Sequence, residues 1–176
     1  MNRWFESAGL RVFERGWLSS NNVLFVGAGG EESTLVDTGY ASHSDQTLAL
    51  VRHALSGKPL SRVVNTHLHS DHCGGNAALQ AAFGCAVMIP AGEAAKVDAW
   101  DEDKLTYLAT GQQCPRFRRT DSISAGETLR LGSRQWQVIA APGLSTAVVW
   151  ICGTQANLAL RSSVSIATTC SSAALT

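Results

Sequence analysis

The sequence is short of charge. Asp, Glu, Lys and Arg make up 16% of its 176 residues, and fourteen acids balance fourteen bases. A formal net charge of zero provides no broad basic face for nucleic acid or an anionic membrane surface. No apolar run approaches the ~18 residues that a membrane-spanning helix requires. The opening segment, Met1-Asn2-Arg3-Trp4-Phe5-Glu6-Ser7, lacks the apolar stretch of a secretory leader. These absences predict a soluble, cytoplasmic chain with no membrane partner. Cysteines are few, scattered and odd in number, five in all. That count fits reduced thiols rather than a disulfide framework. Gly27-Ala28-Gly29-Gly30 lacks the third-glycine spacing of a dinucleotide loop, and no helical pattern follows it. It reads as a hairpin turn. The length suits one domain with a core of its own.

Histidine is also scarce, and three of the five lie within six residues: Thr66-His67-Leu68-His69-Ser70-Asp71-His72. The preceding Ser61-Arg62-Val63-Val64-Asn65 reads as a short buried strand, and Cys73-Gly74-Gly75-Asn76 as a turn into a helix. The imidazoles therefore sit on a loop leaving a strand end, where α/β folds place reactive groups. In an extended segment residues i and i+2 face one side, so His67 and His69 can converge on one cation. Once the chain curls, Asp71 and His72 can turn toward a second position. Neutral imidazole suits zinc, and an adjacent carboxylate suits zinc, manganese or iron. Two such ions about 3.5–4 Å apart can share a hydroxide and clamp a substrate oxygen.

The H-x-H-x-D-H pattern after a hydrophobic strand, followed by Gly-Gly-Asn, resembles the metallo-β-lactamase superfamily. The likeness runs from about residue 10 to about residue 143. It implies an α/β (α+β) fold, a four-layer αβ/βα sandwich with one or two metals, normally zinc, at its edge. By that resemblance His67 and His69 belong to the first metal and Asp71 and His72 to the second. Asp71 would also orient the nucleophile. Asp37-Thr38-Gly39 resembles a further superfamily feature, an aspartate that supports the metal loop from behind. Such a carboxylate can fix an imidazole tautomer or brace the backbone. Having His72 in the motif looks more like the thioesterase, lactonase and related hydrolase branches.

The remaining elements follow from patterning. Strands are expected at 10–15, 22–26, 34–36 and 85–89, and helices at 44–56, 76–83 and 91–109. In the last helix Trp100, Leu105 and Leu108 share the apolar side. A strand, a crossover helix and a second strand suggest parallel pairing. Trp100 and Tyr107 are candidates for lining a substrate cleft, or for core packing. Arg116, Arg118 and Arg119 flank Phe117 and either steer an anion or stand as solvated loop charges. Cys73 abuts the histidine motif, within reach of a metal, and is expected rather to pack beneath the loop. Residues 129–131 and 136–139 alternate around Gly132-Ser133, a hairpin signature.

The resemblance falters after residue 143. The superfamily normally places a histidine, the third ligand of the first metal, after such a Pro-Gly; here the residue is Leu144. No histidine follows His72 and no aspartate follows Asp121, so the later bridging aspartate and last histidine have no counterpart. Residues 155–176 are rich in Ser, Thr and Ala with one charge, Arg161. The expected organisation is an incomplete metallo-β-lactamase-like domain over 1–154 and an atypical tail over 155–176, through truncation, frameshift or divergence. The expected function is a zinc hydrolase of an ester, thioester, lactone or lactam acting through a metal-bound hydroxide on a small molecule. Loss of the later ligands would impair it. The alternatives are a non-catalytic remnant that binds metal weakly and, further off, a nuclease using the arginines.

Overall fold

In the computed structural model, residues 9–16 and 19–141 are described in full, with the backbone of strands at 149–153 and 165–166. Leu144 and most of the 155–176 tail lie outside the described residues. Six strands form the first sheet in chain order: β1 (Leu10–Phe13), β2 (Asn22–Phe25), β3 (Thr34–Val36), β4 (Arg62–Val64), β5 (Ala86–Pro90) and β6 (Asp121–Ile123). The β1–β2–β3 ladders are antiparallel; β3, β4, β5 and β6 pair in parallel. Parallel neighbours need crossovers. Helix α1 (Ser44–Leu55) supplies the one between β3 and β4. Helices α2 (Ser70–Cys73) and α3 (Asn76–Phe83) supply the next, and α4 (Ala94–Ala99) and α5 (Tyr107–Thr110) the last. A second sheet runs β7 (Thr128–Leu131), β8 (Arg134–Ala140), β9 (Val149–Gly153) and β10 (Ser165–Ile166), antiparallel throughout.

Period-two alternation assigns each residue of the first sheet to a layer. Leu24, Leu35, Val63 and Val87 face the helices and pack with Val51, Leu55, Leu79 and Val97. Val23, Phe25, Val36 and Val64 face the second sheet and meet Leu129, Leu131, Trp136 and Val138. Phe25 and Trp136 pack edge to face with ring centres 5.0 Å apart. The described residues thus build three layers: helices, six-stranded sheet, four-stranded sheet. The outer face of the second sheet presents Arg130, Gln135, Gln137 and Ile139, and among the described residues no helix covers it. No helix of the described residues is long and apolar enough to cross a membrane.

One expected helix is broken. The 91–109 stretch splits into a 3-10 turn (Ala91–Glu93), α4 and α5, because Trp100 and Thr106 adopt left-handed backbone with φ 51° and 66°. Between them the Asp101 carboxylate accepts the Lys104 amide at 3.1 Å, a local bond that competes with helix propagation. The break re-aims the side chains. Leu105 and Tyr107 are buried, whereas Leu108, expected on the apolar side, is 62% exposed. The expected turn at 27–30 is present; a side chain at Gly27 would lie 2.0 Å from the Glu31 carbonyl oxygen, so only glycine fits.

Candidate metal centre

The parallel strands β3 and β4 end side by side, and their next residues build the site. Asp37 leaves β3 with its amide bonded to the Val64 carbonyl at 3.0 Å and a left-handed φ of 55°. Asx residues tolerate that conformation better than most. Its fully buried carboxylate then reaches the loop leaving β4. Oδ1 accepts the Thr66 amide at 2.9 Å; Oδ2 accepts the Thr66 hydroxyl at 2.7 Å and lies 2.8 Å from His72 Nδ1. Asp37 thereby fixes both ends of the histidine loop, at Thr66 and at His72.

The loop is extended through His69 and then coils into α2. The rings of His67 and His69 lie 4.7 Å apart, edge to face, and those of His67 and His72 3.8 Å apart. Asp71 Oδ2 sits 3.3 Å from His72 Nε2. All four side chains predicted as ligands are thus gathered at one strand end, with Asp37 behind them. His67, Asp71 and His72 are buried, and His69 is half-buried.

The electrostatics are divided. Burial opposes a charge on His72, but the Asp37 carboxylate and its hydrogen bond, with Asp71 on the other nitrogen, push its pKa up to about 9. Burial lowers His67 to about 4, and the positive His72 beside it acts in the same direction. Burial would raise both carboxyls. Contact with His72 outweighs it and holds Asp37 and Asp71 below the ordinary carboxylate range. Without metal, the cluster is a buried imidazolium between two carboxylates, with a neutral imidazole against it.

Zinc asks for three or four protein ligands of nitrogen, oxygen or sulfur. The donor types fit: the buried His67 Nε2 lacks a hydrogen-bond partner among the described residues, and the buried Asp71 Oδ2 faces His72 Nε2 at 3.3 Å. The count does not. Among the described residues no group of three or more His, Cys, Asp or Glu side chains is arranged to hold one ion. Cys73 is no extra donor toward this cluster. It packs under the loop, its thiol bonded to the Leu68 and His69 carbonyls, and burial raises its pKa.

The contacts that support the loop carried no signal in the sequence. The His72 carbonyl accepts the Thr38 amide at 2.7 Å, the Thr38 hydroxyl at 3.1 Å and the Asn65 side-chain amide at 3.1 Å. Asn76 in turn donates to Asn65 at 2.7 Å. On the helical side, Tyr107 donates its hydroxyl to the Leu68 carbonyl at 2.9 Å, and the Ser70 amide donates to Gln112 at 3.1 Å. Tyr107, a candidate for the cleft wall or for core packing, is in the core at 2% exposure and props the loop from below. Trp100 packs beside it and against Phe117.

A sequence model of the metallo-beta-lactamase superfamily matches residues 15–160, reaching past the point where the ligand pattern is lost. The chain is 36% identical over 84 residues to a hydroxyacylglutathione hydrolase of Hyphomonas neptunium, a stretch covering 48% of this chain and 25% of that protein. It is 33% identical over 87 residues to the hydroxyacylglutathione hydrolase of Methylococcus capsulatus, covering 49% and 27%. Among solved structures it resembles a metallo-beta-lactamase of Cronobacter sakazakii with an HARLDQ motif: TM-score 0.68, 21% identity, 83% of this chain and 57% of that one. It also resembles native FEZ-1 of Legionella gormanii: TM-score 0.69, 13% identity, 83% and 55%. The chain therefore spans little more than half of these structures, and its matched stretch about a quarter of the curated relatives. With the fold, the strand-end histidine loop and the family match in agreement, this chain belongs to the metallo-beta-lactamase superfamily.

Proposed function

We propose that the chain carries the first half of a zinc-dependent hydrolase site. His67 and His69 would hold one metal position and Asp71 and His72 the other. The substrate class is a small ester or thioester. The thioester is favoured because the curated relatives are named hydroxyacylglutathione hydrolases. The observation that carries this reading is the convergence of the four side chains at one strand end, braced by Asp37. Zinc, when bound, supplies a water of lowered pKa and polarises a carbonyl. The chain's own residues do the positioning. Asp37 fixes the His72 ring through Nδ1, and Asp71 presents a buried carboxylate oxygen beside His72.

A second reading has its own support. Only two of the proposed donors serve each metal, and no three-donor group occurs among the described residues. Losing even a residue that merely supports a ligand costs about 10–100-fold in affinity or activity. A chain with Leu144 in place of the third ligand would bind zinc loosely and turn over slowly, or only bind. Bound zinc per chain is measured on the purified 176-residue protein. Hydrolysis of a hydroxyacyl thioester of glutathione, an activated ester and a lactam is then followed, beside Leu144→His. Substoichiometric zinc and slow turnover, both raised by Leu144→His, are expected. Stoichiometric zinc with rapid turnover in the unaltered chain overturns the impairment. No zinc in either protein overturns the metal-site reading.

A further inference from the structure

The arginine cluster is not part of the histidine site, and it borders a cavity of about 690 Å³ lined by Ala77, Gln80, Val97, Asp98 and residues 116–119. We propose that this cavity is a binding site for a small phosphate monoester, held by Arg116 and Arg118.

Residues 116–119 lead into β6, and Phe117 points into the core at 4% exposure, its ring 5.4 Å from that of Trp100. Arg116 and Arg118 flank this anchor and are both exposed. The backbone that presents them is fixed at both ends of one peptide residue: Gln80 accepts the Arg118 amide at 3.0 Å and donates to the Arg118 carbonyl at 2.6 Å. Arg119 is committed to Asp98 through two bonds of 2.7 and 2.6 Å. That fork neutralises the one carboxylate in the cavity wall. Arg116 and Arg118 have no side-chain partner among the described residues. Three arginines against one aspartate leave two positive charges around a cavity in a chain whose net charge is zero.

Guanidinium groups match the oxygens of phosphate with paired, charge-assisted bonds. Two net charges balance a dianion better than a carboxylate. The cavity lies within the ~300–1,000 Å³ of small-molecule sites, and Ala77, Val97 and Phe117 supply apolar wall for the body of the ester. This inference does not rest on the hydrolase reading.

Phenyl phosphate is titrated into the full chain by calorimetry, with benzoate and benzyl alcohol as the monoanionic and neutral comparisons. Saturable binding of phenyl phosphate that weakens with added salt is expected. Arg116→Gln and Arg118→Gln should each weaken it about tenfold, the scale of a lost hydrogen bond to a charged group. Arg130→Gln, on the far face of the second sheet, should leave it unchanged. Circular dichroism of the exposed-site variants should match the parent. Equal affinity for benzoate, no saturable binding, or equal loss in all three variants overturns the proposal. So does tighter binding of a single-stranded oligonucleotide with a steep salt dependence, which would make the groove a nucleic-acid contact.

Discussion

His72 Nδ1 lies 2.8 Å from Asp37 Oδ2, and neither side chain is accessible to solvent. The two are separated by a helix and a strand in sequence, yet they set the charge of the whole histidine loop. Breaking a buried ion pair from one side leaves an uncompensated charge and typically costs about 3–5 kcal/mol. Asp37→Asn keeps the size and the tolerance for the left-handed backbone of residue 37, so it isolates the electrostatic part. It should destabilise the chain by about 3 kcal/mol on that scale in denaturant unfolding. It should also drop the His72 pKa below its parent value of about 9 in an NMR titration of the metal-free chain. An unchanged His72 pKa in a folded variant would contradict the pairing.

The two perturbed histidines give the metal-free chain a stability maximum near neutrality. His67 is pushed from 6.5 to about 4 in the fold. Between those values the unfolded chain binds more protons, so stability rises with pH. His72 is pushed from 6.5 to about 9. Its contribution is fully present below the unfolded value of 6.5 and is lost as pH climbs through about 9. Asp37 and Asp71, both held low, lose their contribution only as pH falls through their lowered folded values. Unfolding midpoints measured across this range in chelator should rise and then fall. His72→Asn should flatten the alkaline limb. A midpoint that keeps rising above pH 7 would refute the assignment of the proton to His72.

The histidine loop was legible because its chemistry is compressed into six residues, and the parallel pairing because apolar strands alternate with short helices. The props of the loop were not. Asn65 is an ordinary polar residue, and Asn76 merely ends the Gly-Gly-Asn run, until the fold brings them together beneath the His72 carbonyl. Tyr107 lies in a stretch whose apolar spacing reads as one long helix. The left-handed residues Trp100 and Thr106, with the local Asp101–Lys104 bond between them, break that helix, and Tyr107 ends under Leu68. Strand β6 was missed because three residues, Asp121–Ile123, carry almost no period. Leu144, where the sequence departs from the family, lies outside the described residues, so the departure stands on the sequence.

Tyr107→Phe should loosen the loop without unfolding the chain. The hydroxyl donates to the Leu68 carbonyl, between the two first histidines, and lies 3.1 Å from the Cys73 thiol. Removing it leaves the buried Leu68 carbonyl with the longer Cys73 thiol contact at 3.5 Å, a loss of about 1 kcal/mol, the net worth of one hydrogen bond. The ring remains to fill its place in the core. Hydrogen exchange of the His69 and Ser70 amides should accelerate more than that of the β4 amides. Uniform acceleration would mean that the hydroxyl serves global stability only.

Gly74 carries the tightest constraint at the back of the site. Its φ is −59°, so the backbone conformation suits any residue; the constraint is space. A methyl group there would lie 2.4 Å from the Ala41 amide nitrogen and 2.5 Å from the Ser70 carbonyl oxygen. Both are backbone atoms that no rotamer change can move aside. The Ser70 carbonyl belongs to the α2 turn that carries Asp71 and His72, and Ala41 opens the turn leading into α1. Gly74→Ala must therefore push α2 away from the β3 end, stretching the 2.7 Å bond from the Thr38 amide to the His72 carbonyl. Overpacking of this kind costs about 1–3 kcal/mol, and the displacement falls on the metal-binding turn. Gly84→Ala is the matched control, since that position is left-handed but opens onto free space. Both variants should lower the unfolding midpoint. Only Gly74→Ala should also shift the His72 ring resonances and lower its pKa, as the Asp37 contact lengthens. Equal effects of the two variants on His72 would show that Gly74 serves the fold and not the site.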